Sequence, residues 1–235
     1  MRINSFISST GLCSRRQADE LIKQGKVKVN GSAAQIGQKV NKEDKVEVNG
    51  KLLKLEKTNV YIALNKPRGI TCTTERHVKG NIVDFVNYPE RIFPIGRLDK
   101  ESEGLILLTN DGSIVNKILR NENKNEKDYI VTVNKATTPS FIKGMSNGVK
   151  IHNPVRNEHT ITNKCKVDKI NARTFKITLT QGLNRQIRRM CSHFGYNVVK
   201  LKRIRIMNIK LGNLPIGKWR NLTDEELKDL LDVIK

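Results

Sequence analysis

From Tyr61 to Leu179 the chain repeats short apolar stretches of strand length, and this pattern constrains the possible folds more than any other feature. The stretches are VYIALNK, GLILLTN, DYIVTVN and TFKITLT, and residues typical of turns follow or end each of them. No helical segment regularly follows each strand, as it would in a doubly wound parallel sheet. We therefore predict an α+β fold in which the main sheet is largely antiparallel.

Two segments nearer the C-terminus have helical periodicity instead. In NRQIRRMCSHFGY, residues Ile187, Met190, Cys191 and Phe194 share one face. In LTDEELKDLLDVIK, Thr223 and Glu226 have the spacing of a capping box. The inward face of this last helix is predicted to carry Leu227, Leu230, Leu231 and Ile234.

Residues 1–57 have a different pattern and are predicted to form a small domain of two helices followed by strands. Ile3, Phe6 and Ile7 mark the first helix, and Ser14 with Gln17 forms a capping box at the start of the second. KVKVNG and KVEVNG, nineteen residues apart, each predict a strand that ends in a tight turn. The domain boundary is placed in LLKLEKTN, so the second domain covers 58–235.

The chain is strongly basic, with 44 lysines and arginines against 23 acidic residues and a formal net charge of +21. Such a charge favours a polyanionic partner, nucleic acid before an anionic membrane surface. The alternative is a lysine-rich composition that serves solubility alone. No apolar run is long enough for a membrane helix, and no signal peptide is visible, so a cytoplasmic protein is expected.

The cysteines are far apart and no zinc-site or nucleotide-binding motif is present. We expect neither a bound metal nor a cofactor.

One basic cluster opens the second predicted helix. Arg15 and Arg16 add positive charge to the positive end of the helix dipole, which a docked phosphate would offset. A solvated surface without a ligand is the alternative. The residues predicted to form this phosphate-binding surface, with a nucleic acid as the favoured ligand, are Ser14, Arg15, Arg16, Lys23, Lys26 and Lys28.

A second basic cluster lies in GLNRQIRRMCSHFG. Helical geometry places Arg185, Arg188 and Ser192 on one side and Arg189 and His193 on the adjoining side. No acidic residue lies within a helical turn of them. Their partner must come from elsewhere in the fold or from RNA.

Asp99 stands between Arg97 and Lys100, just ahead of the apolar run Leu105–Leu108. Taken alone, an aspartate in a turn ahead of a strand is more often a turn residue than a catalytic carboxylate. The surrounding motif decides between these readings.

GRLDKESEGLILLTNDG resembles the catalytic motif of the pseudouridine synthases, in particular the RsuA/RluB/RluF type that acts on ribosomal RNA. ALNKPRGI, KDYIVTV and QGLNRQIRRMCSHFGYNVVKLKRIRI resemble the other blocks of that type, in the expected order. The first domain resembles the S4-like RNA-binding domain that a small-subunit ribosomal protein also carries. NIVDFVN and VNKILR are most similar to members that modify 23S ribosomal RNA.

The resemblance implies a cofactor-free isomerase that converts uridine to pseudouridine after flipping the nucleotide out of the RNA. Asp99 corresponds to the essential carboxylate and Arg188 to the cation that pairs with it. Tyr129 corresponds to the aromatic residue that stacks on the uracil. Arg97 corresponds to a residue that contacts the vacated site, and Arg185 and Arg189 are assigned to RNA binding.

The segment 149–167, with His152 and His159, matches no block of the family and is predicted to be an irregular loop against the RNA. Two alternatives remain for the whole chain. One is the same chemistry on tRNA or small-subunit RNA, and the other is a non-catalytic RNA-binding protein of ribosome assembly. The expected partner is 23S RNA, free or in an assembling large subunit, and a monomer is expected.

Overall fold

The computed structural model describes residues 1–41, 43–54, 58–120, 124–154 and 157–234, which fall into two compact units. The first unit comprises Met1–Val60 with Pro89–Arg91 and Asn110–Gly112. The second comprises Tyr61–Tyr88, Ile92–Thr109 and Ser113–Lys235. The predicted division between residues 57 and 58 adjoins Lys57, which lies outside the described residues.

The first unit begins with helices α1 (Ile3–Ser9) and α2 (Arg15–Lys23). Its antiparallel sheet has the order β2-β1-β3-β4, from β1 (Val27–Val29), β2 (Ser32–Ala33), β3 (Val46–Val48) and β4 (Lys51–Leu52). The two helices and the sheet share one core, in which alternate valines of β1 and β3 pack with the apolar faces of both helices. These residues are Ile3, Phe6, Ile7, Ala18, Ile22, Val27, Val29, Val46 and Val48.

The capping box of α2 is present as predicted. Ser14 Oγ accepts a hydrogen bond from the Gln17 backbone N–H at 3.2 Å, and Gln17 Oε1 accepts one from the Ser14 N–H at 2.9 Å. Each bond satisfies a backbone donor that the first helical turn cannot satisfy itself. This is why α2 begins at Arg15.

The second unit contains the longer strands. Its first half holds β5 (Tyr61–Lys66), α3 (Ile82–Val86), β6 (Phe93–Pro94), β7 (Glu103–Thr109), α4 (Val115–Leu119), β8 (Lys127–Val133) and α5 (Pro139–Ser146). Its second half holds β9 (Lys150–Asn153), β10 (Glu158–Ile161), β11 (Lys166–Lys169), β12 (Thr174–Leu179), α6 (Gln186–His193), β13 (Val198–Ile206), β14 (Ile209–Lys210), β15 (Trp219–Asn221) and α7 (Asp224–Val233).

Within the described ranges, nine of these strands form one sheet of order β11-β12-β8-β13-β7-β5-β15, with β14 on β13 and β6 on β7. Every pair is antiparallel except β13 with β7, where Lys202 lies opposite Glu103 and Arg203 opposite Gly104. The prediction of an α+β fold with a mainly antiparallel sheet is confirmed.

The C-terminal helix covers part of this sheet. Leu230 and Ile234 pack with Leu105 and Leu107 of β7 in one apolar cluster. Thr223 and Glu226 form the predicted capping box of α7. β7 is buried at every position, which agrees with the apolar run Leu105–Leu108 at its centre.

The prediction of an irregular loop over 149–167 is wrong. β9 and β10 form an antiparallel hairpin in which His152 lies directly opposite His159, and β11 follows as an edge strand of the main sheet. The hairpin was missed because its side chains are largely polar on both faces, so the sequence shows no alternation.

In the part of the chain that the structure describes, no helix has the length and apolar character needed to cross a membrane.

Candidate active site

A cavity of about 580 Å³ is lined by residues of the second unit. Its walls come from the loop between β6 and β7, from β8 and β13, and from the start of α6. The sequence-predicted residues that line it are Arg97, Asp99, Tyr129, Arg185 and Arg188. The fold therefore brings together residues that lie far apart in the sequence.

Asp99 is held in a tight turn directly before β7. Its carbonyl oxygen accepts a hydrogen bond from the Ser102 N–H at 3.0 Å, the spacing of a β-turn. The side chain is 30% exposed, so its carboxylate stands at the cavity wall within reach of a ligand.

Arg188, in the first turn of α6, faces this carboxylate. Its Nε lies 3.8 Å from Asp99 Oδ2, and its side chain is 14% exposed. The guanidinium is anchored from behind: Nη1 donates to the Val198 carbonyl at 3.3 Å and Nη2 to Ser102 Oγ at 3.1 Å. Burial lowers the pKa of Arg188, while the Asp99 charge acts in the opposite direction.

Arg185 pairs with a second carboxylate of the same turn. Its Nη1 donates to Glu101 Oε2 at 2.7 Å, and this hydrogen bond lowers the pKa of Glu101. Arg185 caps α6 with a φ of 50°, a left-handed conformation uncommon for a residue other than glycine. The acidic partner that the arginine cluster lacks locally is thus supplied by Asp99 and Glu101 across the fold.

Tyr129 lies on β8 with its ring at the cavity wall and is largely buried. Its neighbours in the sheet are Ile177 on β12 and Arg203 on β13. A planar base that entered the cavity would meet this ring, and aromatic side chains of this kind bind nucleobases by stacking.

The other predicted RNA-binding residues of this unit differ in their surroundings. Arg97 is exposed at the cavity wall. Arg189 instead donates to the Asn184 side chain and backbone and, from Nη1, to the His152 carbonyl at 2.7 Å, which ties α6 to β9.

In the first unit, Ser14 caps α2, as described above. Arg15, Arg16, Lys26 and Lys28 are exposed, and Lys23 pairs with Glu20 at 3.0 Å on the surface. These basic side chains remain accessible to an anionic ligand.

Sequence reasoning missed three residues of the cavity and its supports: Ser102, Lys127 and Arg203. Lys127 is two residues before Tyr129 on the same strand, so period-two geometry could have placed both on one face. Ser102 and Arg203 are recognised only through contacts between distant strands. In the described ranges, no group of three or more His, Cys, Asp or Glu residues is arranged to hold a metal ion.

Two family models match the chain. Residues 60–193 match the model described as RNA pseudouridylate synthase, and residues 1–46 match the S4 domain. The first match covers more than half of the chain. The chain therefore belongs to the RNA pseudouridylate synthase family, whose members isomerise uridine in RNA, and it carries an S4 domain at its N-terminus.

Curated relatives place the chain more closely, within the RsuA/RluB/RluF type. It is 56% identical over 237 residues to the dual-specificity RNA pseudouridine synthase RluF of Escherichia coli K12, covering 100% of this chain and 80% of the relative. It is 38% identical over 237 residues to the ribosomal large subunit pseudouridine synthase B of Bacillus subtilis 168, covering 97% and 95%.

Among solved structures, a crystal structure of a pseudouridylate synthase matches with a TM-score of 0.71 and 29% identity, over 98% of this chain and 99% of that one. The resemblance inferred from the motifs is confirmed, as is the order of an S4 domain followed by a synthase domain.

Proposed function

We propose that this protein converts a specific uridine of the 23S ribosomal RNA to pseudouridine, acting in the cytoplasm as a monomer. The observation that carries the proposal is the convergence of Asp99, Arg188 and Tyr129 on one cavity. All of these residues come from one chain. The name of the Bacillus relative, which specifies the large ribosomal subunit, supports the choice of RNA.

In this proposal Asp99 is the catalytic carboxylate. It is ionised when it attacks the ribose or removes a proton from it, and the Arg188 guanidinium at 3.8 Å stabilises that ionised form. The anchors on Val198 and Ser102 hold Arg188 in place before substrate arrives. Such preorganisation lowers the cost of reaching the transition state.

Tyr129 and Arg97 hold the substrate nucleotide. A uridine in folded RNA is stacked, and flipping it out costs a few kcal/mol. Stacking on the Tyr129 ring returns about 1–3 kcal/mol of this cost. Arg97, exposed at the cavity wall, contacts the RNA beside the flipped base.

In this proposal the S4 domain, Arg185 and Arg189 bind the RNA backbone. Arg15, Arg16, Lys26 and Lys28 are exposed on the first unit. Their contacts are to phosphates, so they strengthen binding without selecting a base.

A second RNA substrate is a further candidate. The words "dual-specificity" in the name of the 56% identical relative favour it. We propose transfer RNA as this second substrate, beside ribosomal RNA.

The decisive experiment maps pseudouridine in ribosomal and transfer RNA from cells that lack the protein, complemented with wild type, Asp99→Ala or Asp168→Ala. Asp168 is an exposed aspartate of β11 whose partner is Lys166, and it serves as the matched control. We expect wild type and Asp168→Ala to restore one large-subunit site, and Asp99→Ala to restore none while its RNA affinity is retained. Modification by Asp99→Ala would refute the role of Asp99. The absence of any changed site would favour a binding protein of ribosome assembly.

The role of the S4 domain is tested by the salt dependence of RNA affinity. Arg16→Ala should weaken binding and lower the slope of log affinity against log salt by roughly 0.7–0.9, the value for one lost phosphate contact. Lys51→Ala, on the edge strand β4, is the control and should leave the slope unchanged. An unchanged slope for Arg16→Ala would exclude a phosphate contact at this residue.

A further inference from the structure

Two buried cations share the cavity with Asp99 and Tyr129. Arg203 on β13 is 4% exposed and Lys127 on β8 is 8% exposed, and both line the cavity wall. Buried charges are ordinarily paired with a carboxylate. In the part of the chain that is described, neither residue forms an ion pair. Their burial therefore calls for another explanation.

The hydrogen bonds of these residues leave donors unused. Arg203 Nε donates to the Leu105 carbonyl at 2.6 Å, but its buried Nη2 has no partner within the described ranges. Lys127 Nζ donates to the Asn125 carbonyl at 3.1 Å, although an ammonium can donate three hydrogen bonds. An unsatisfied buried donor is costly and is rare outside functional sites. Both residues are thus equipped to receive an acceptor that enters the cavity.

The sheet register places these donors beside the proposed position of the base. Arg203 is the direct neighbour of Tyr129 across β13 and β8. Lys127 lies two residues before Tyr129 on β8, and side chains at this spacing point to the same face. Tyr129, Lys127 and Arg203 all line the cavity, so a uracil that stacks on the Tyr129 ring shares this cavity with both cations.

The reaction creates negative charge at that base. When the bond between ribose C1′ and uracil N1 breaks, its electron pair stays on the uracil. Asp99 meanwhile either forms an ester with C1′ or takes a ribose proton, and in both cases its carboxylate loses its charge. One negative charge therefore leaves Asp99 and appears on the uracil ring, spread over nitrogen and the two carbonyl oxygens. Bond formation from C5 to C1′ and transfer of the C5 proton to N1 then complete the isomerisation, with Asp99 restored.

We propose that Arg203 and Lys127 form an anion site that binds a carbonyl oxygen of the departing uracil and stabilises the uracil anion. This inference rests on the proposed roles of Asp99 and Tyr129. Arg188 stabilises the charge at its starting point on Asp99, and the Arg203–Lys127 pair stabilises it at its destination. Donors fixed where charge develops act on the transition state more than on the bound substrate.

The electrostatic environment of Lys127 agrees with this role. Burial and the neighbouring Arg203 charge lower the pKa of Lys127 to about 8. The ammonium is still mostly protonated at neutral pH and gains from an approaching anion. A purely structural role explains the bonds from Arg203 Nε to Leu105 and from Lys127 Nζ to Asn125, but not the unpartnered Arg203 Nη2.

The experiment compares two RNA substrates that carry uridine or 5-fluorouridine at the target position. The fluorine makes uracil a more acidic compound and a better leaving group, so breaking its bond to ribose depends less on stabilisation by the enzyme. Single-turnover disappearance of the target nucleoside is measured by chromatography of the digested RNA, for wild type, Lys127→Met and Arg203→Met. Lys166→Met, at an exposed lysine of β11, is the control.

We expect each cavity variant to lose about 100-fold or more in rate on uridine, the effect of removing one donor of an oxyanion site. On 5-fluorouridine we expect a loss of about tenfold or less, with RNA affinity retained on both substrates. Lys166→Met should match wild type on both.

Equal losses on the two substrates, or full activity of Lys127→Met, would overturn the inference. If Arg203→Met fails to fold, Lys127→Met decides, because removal of a desolvated charge should not impair folding. A wild-type protein that makes no pseudouridine would refute the proposed function itself, which is distinguishable from either of these results.

Discussion

Arg188 Nε stands 3.8 Å from Asp99 Oδ2, and this nitrogen is buried with no hydrogen-bond partner among the described residues. The pair is thus coupled by charge, while the carboxylate stays free to contact a substrate. Arg188 does not depend on Asp99 for its position, because Val198 and Ser102 hold the other two nitrogens. Ser102 is fully buried, so this anchor is shielded from solvent.

Ser102→Ala tests whether this anchor positions Arg188 for catalysis. The change removes the 3.1 Å bond to Nη2 and leaves a weak 3.5 Å contact to the Glu101 carbonyl. We expect the single-turnover rate to fall by roughly tenfold, in line with the loss of one hydrogen bond to a charged group of about 1.5 kcal/mol. RNA affinity should be unchanged.

Ser146→Ala is the matched control, since Ser146 is a serine at the end of α5 whose hydroxyl donates to the Lys143 carbonyl. It should keep the wild-type rate. A Ser102→Ala protein with a normal rate would show that Val198 alone positions Arg188.

Gly104→Ala tests the close contact between the parallel strands β7 and β13. Gly104 has a φ of +106°, and a Cβ there would lie 2.2 Å from the Arg203 carbonyl oxygen. Both the backbone conformation and the backbone-to-backbone approach exclude a side chain. We expect a loss of about 3 kcal/mol or more in the free energy of unfolding, measured by urea denaturation.

The control for this change is Gly182→Ala, because an added Cβ at Gly182 meets no atom within 4 Å and its backbone is not left-handed. Comparable stability of the two variants would mean that β7 and β13 separate at little cost.

The pairing of β7 with β13 shows what can and cannot be predicted from the sequence. The helices α2 and α7 follow from capping boxes and apolar spacing, since both signals involve residues within one or two turns. Strands β5, β7, β8 and β12 follow from their local patterns in the same way. The parallel pairing of β7 with β13 depends on two segments that are distant in the chain, and no local pattern records it.

The residues of the candidate site also fall into those that a local motif predicts and those that only tertiary contacts reveal. Asp99, Tyr129 and Arg188 could be predicted as site residues because their motifs resemble those of a family. Arg203 could not be predicted in this way, because what singles it out is burial without an acidic partner among the described residues, and only tertiary contacts reveal that. The hairpin of β9 and β10 was missed for a related reason: its exposed polar side chains leave pairing, rather than burial, to define its strands.

Asp128→Asn tests a buried charge network one residue before Tyr129. Asp128 is buried and accepts hydrogen bonds from Arg205 and Thr178, and it pairs with Lys176 at 2.9 Å. We expect Asp128→Asn to lower the free energy of unfolding by about 3 kcal/mol at pH 7, because the partly buried Arg205 and Lys176 lose the charge of a buried partner.

The pH dependence of this difference has a definite sign. Although burial opposes ionisation, the hydrogen bonds and charge of its partners hold the pKa of Asp128 well below its ordinary value of 3.8. As the pH falls, the Asp128 carboxylate is therefore protonated in the unfolded chain before it is protonated in the folded protein. Its contribution to the free energy of unfolding is lost as the pH falls below about 4. Urea denaturation of wild type and Asp128→Asn at pH 7 and pH 3 should show the gap narrowing in acid, whereas a constant gap would contradict the lowered pKa.

We expect Lys127→Met to have the opposite effect from Asp128→Asn, because it should increase the stability of the protein at neutral pH. Burial lowers the pKa of Lys127 to about 8, from 10.5 in the unfolded chain, so the unfolded chain binds more protons between these values. The wild-type protein therefore becomes less stable as the pH falls from 10.5 to about 8, and the full penalty is present below 8.

Thermal unfolding at pH 7 should show a higher Tm for Lys127→Met than for wild type, and at pH 10 the difference should be smaller. Lys166→Met, which removes an exposed lysine, should show no such pH-dependent gap. A lower Tm for Lys127→Met at pH 7 would mean that Lys127 stabilises the fold. Its burial beside Arg203 would then have a structural explanation and would not indicate a site for the substrate.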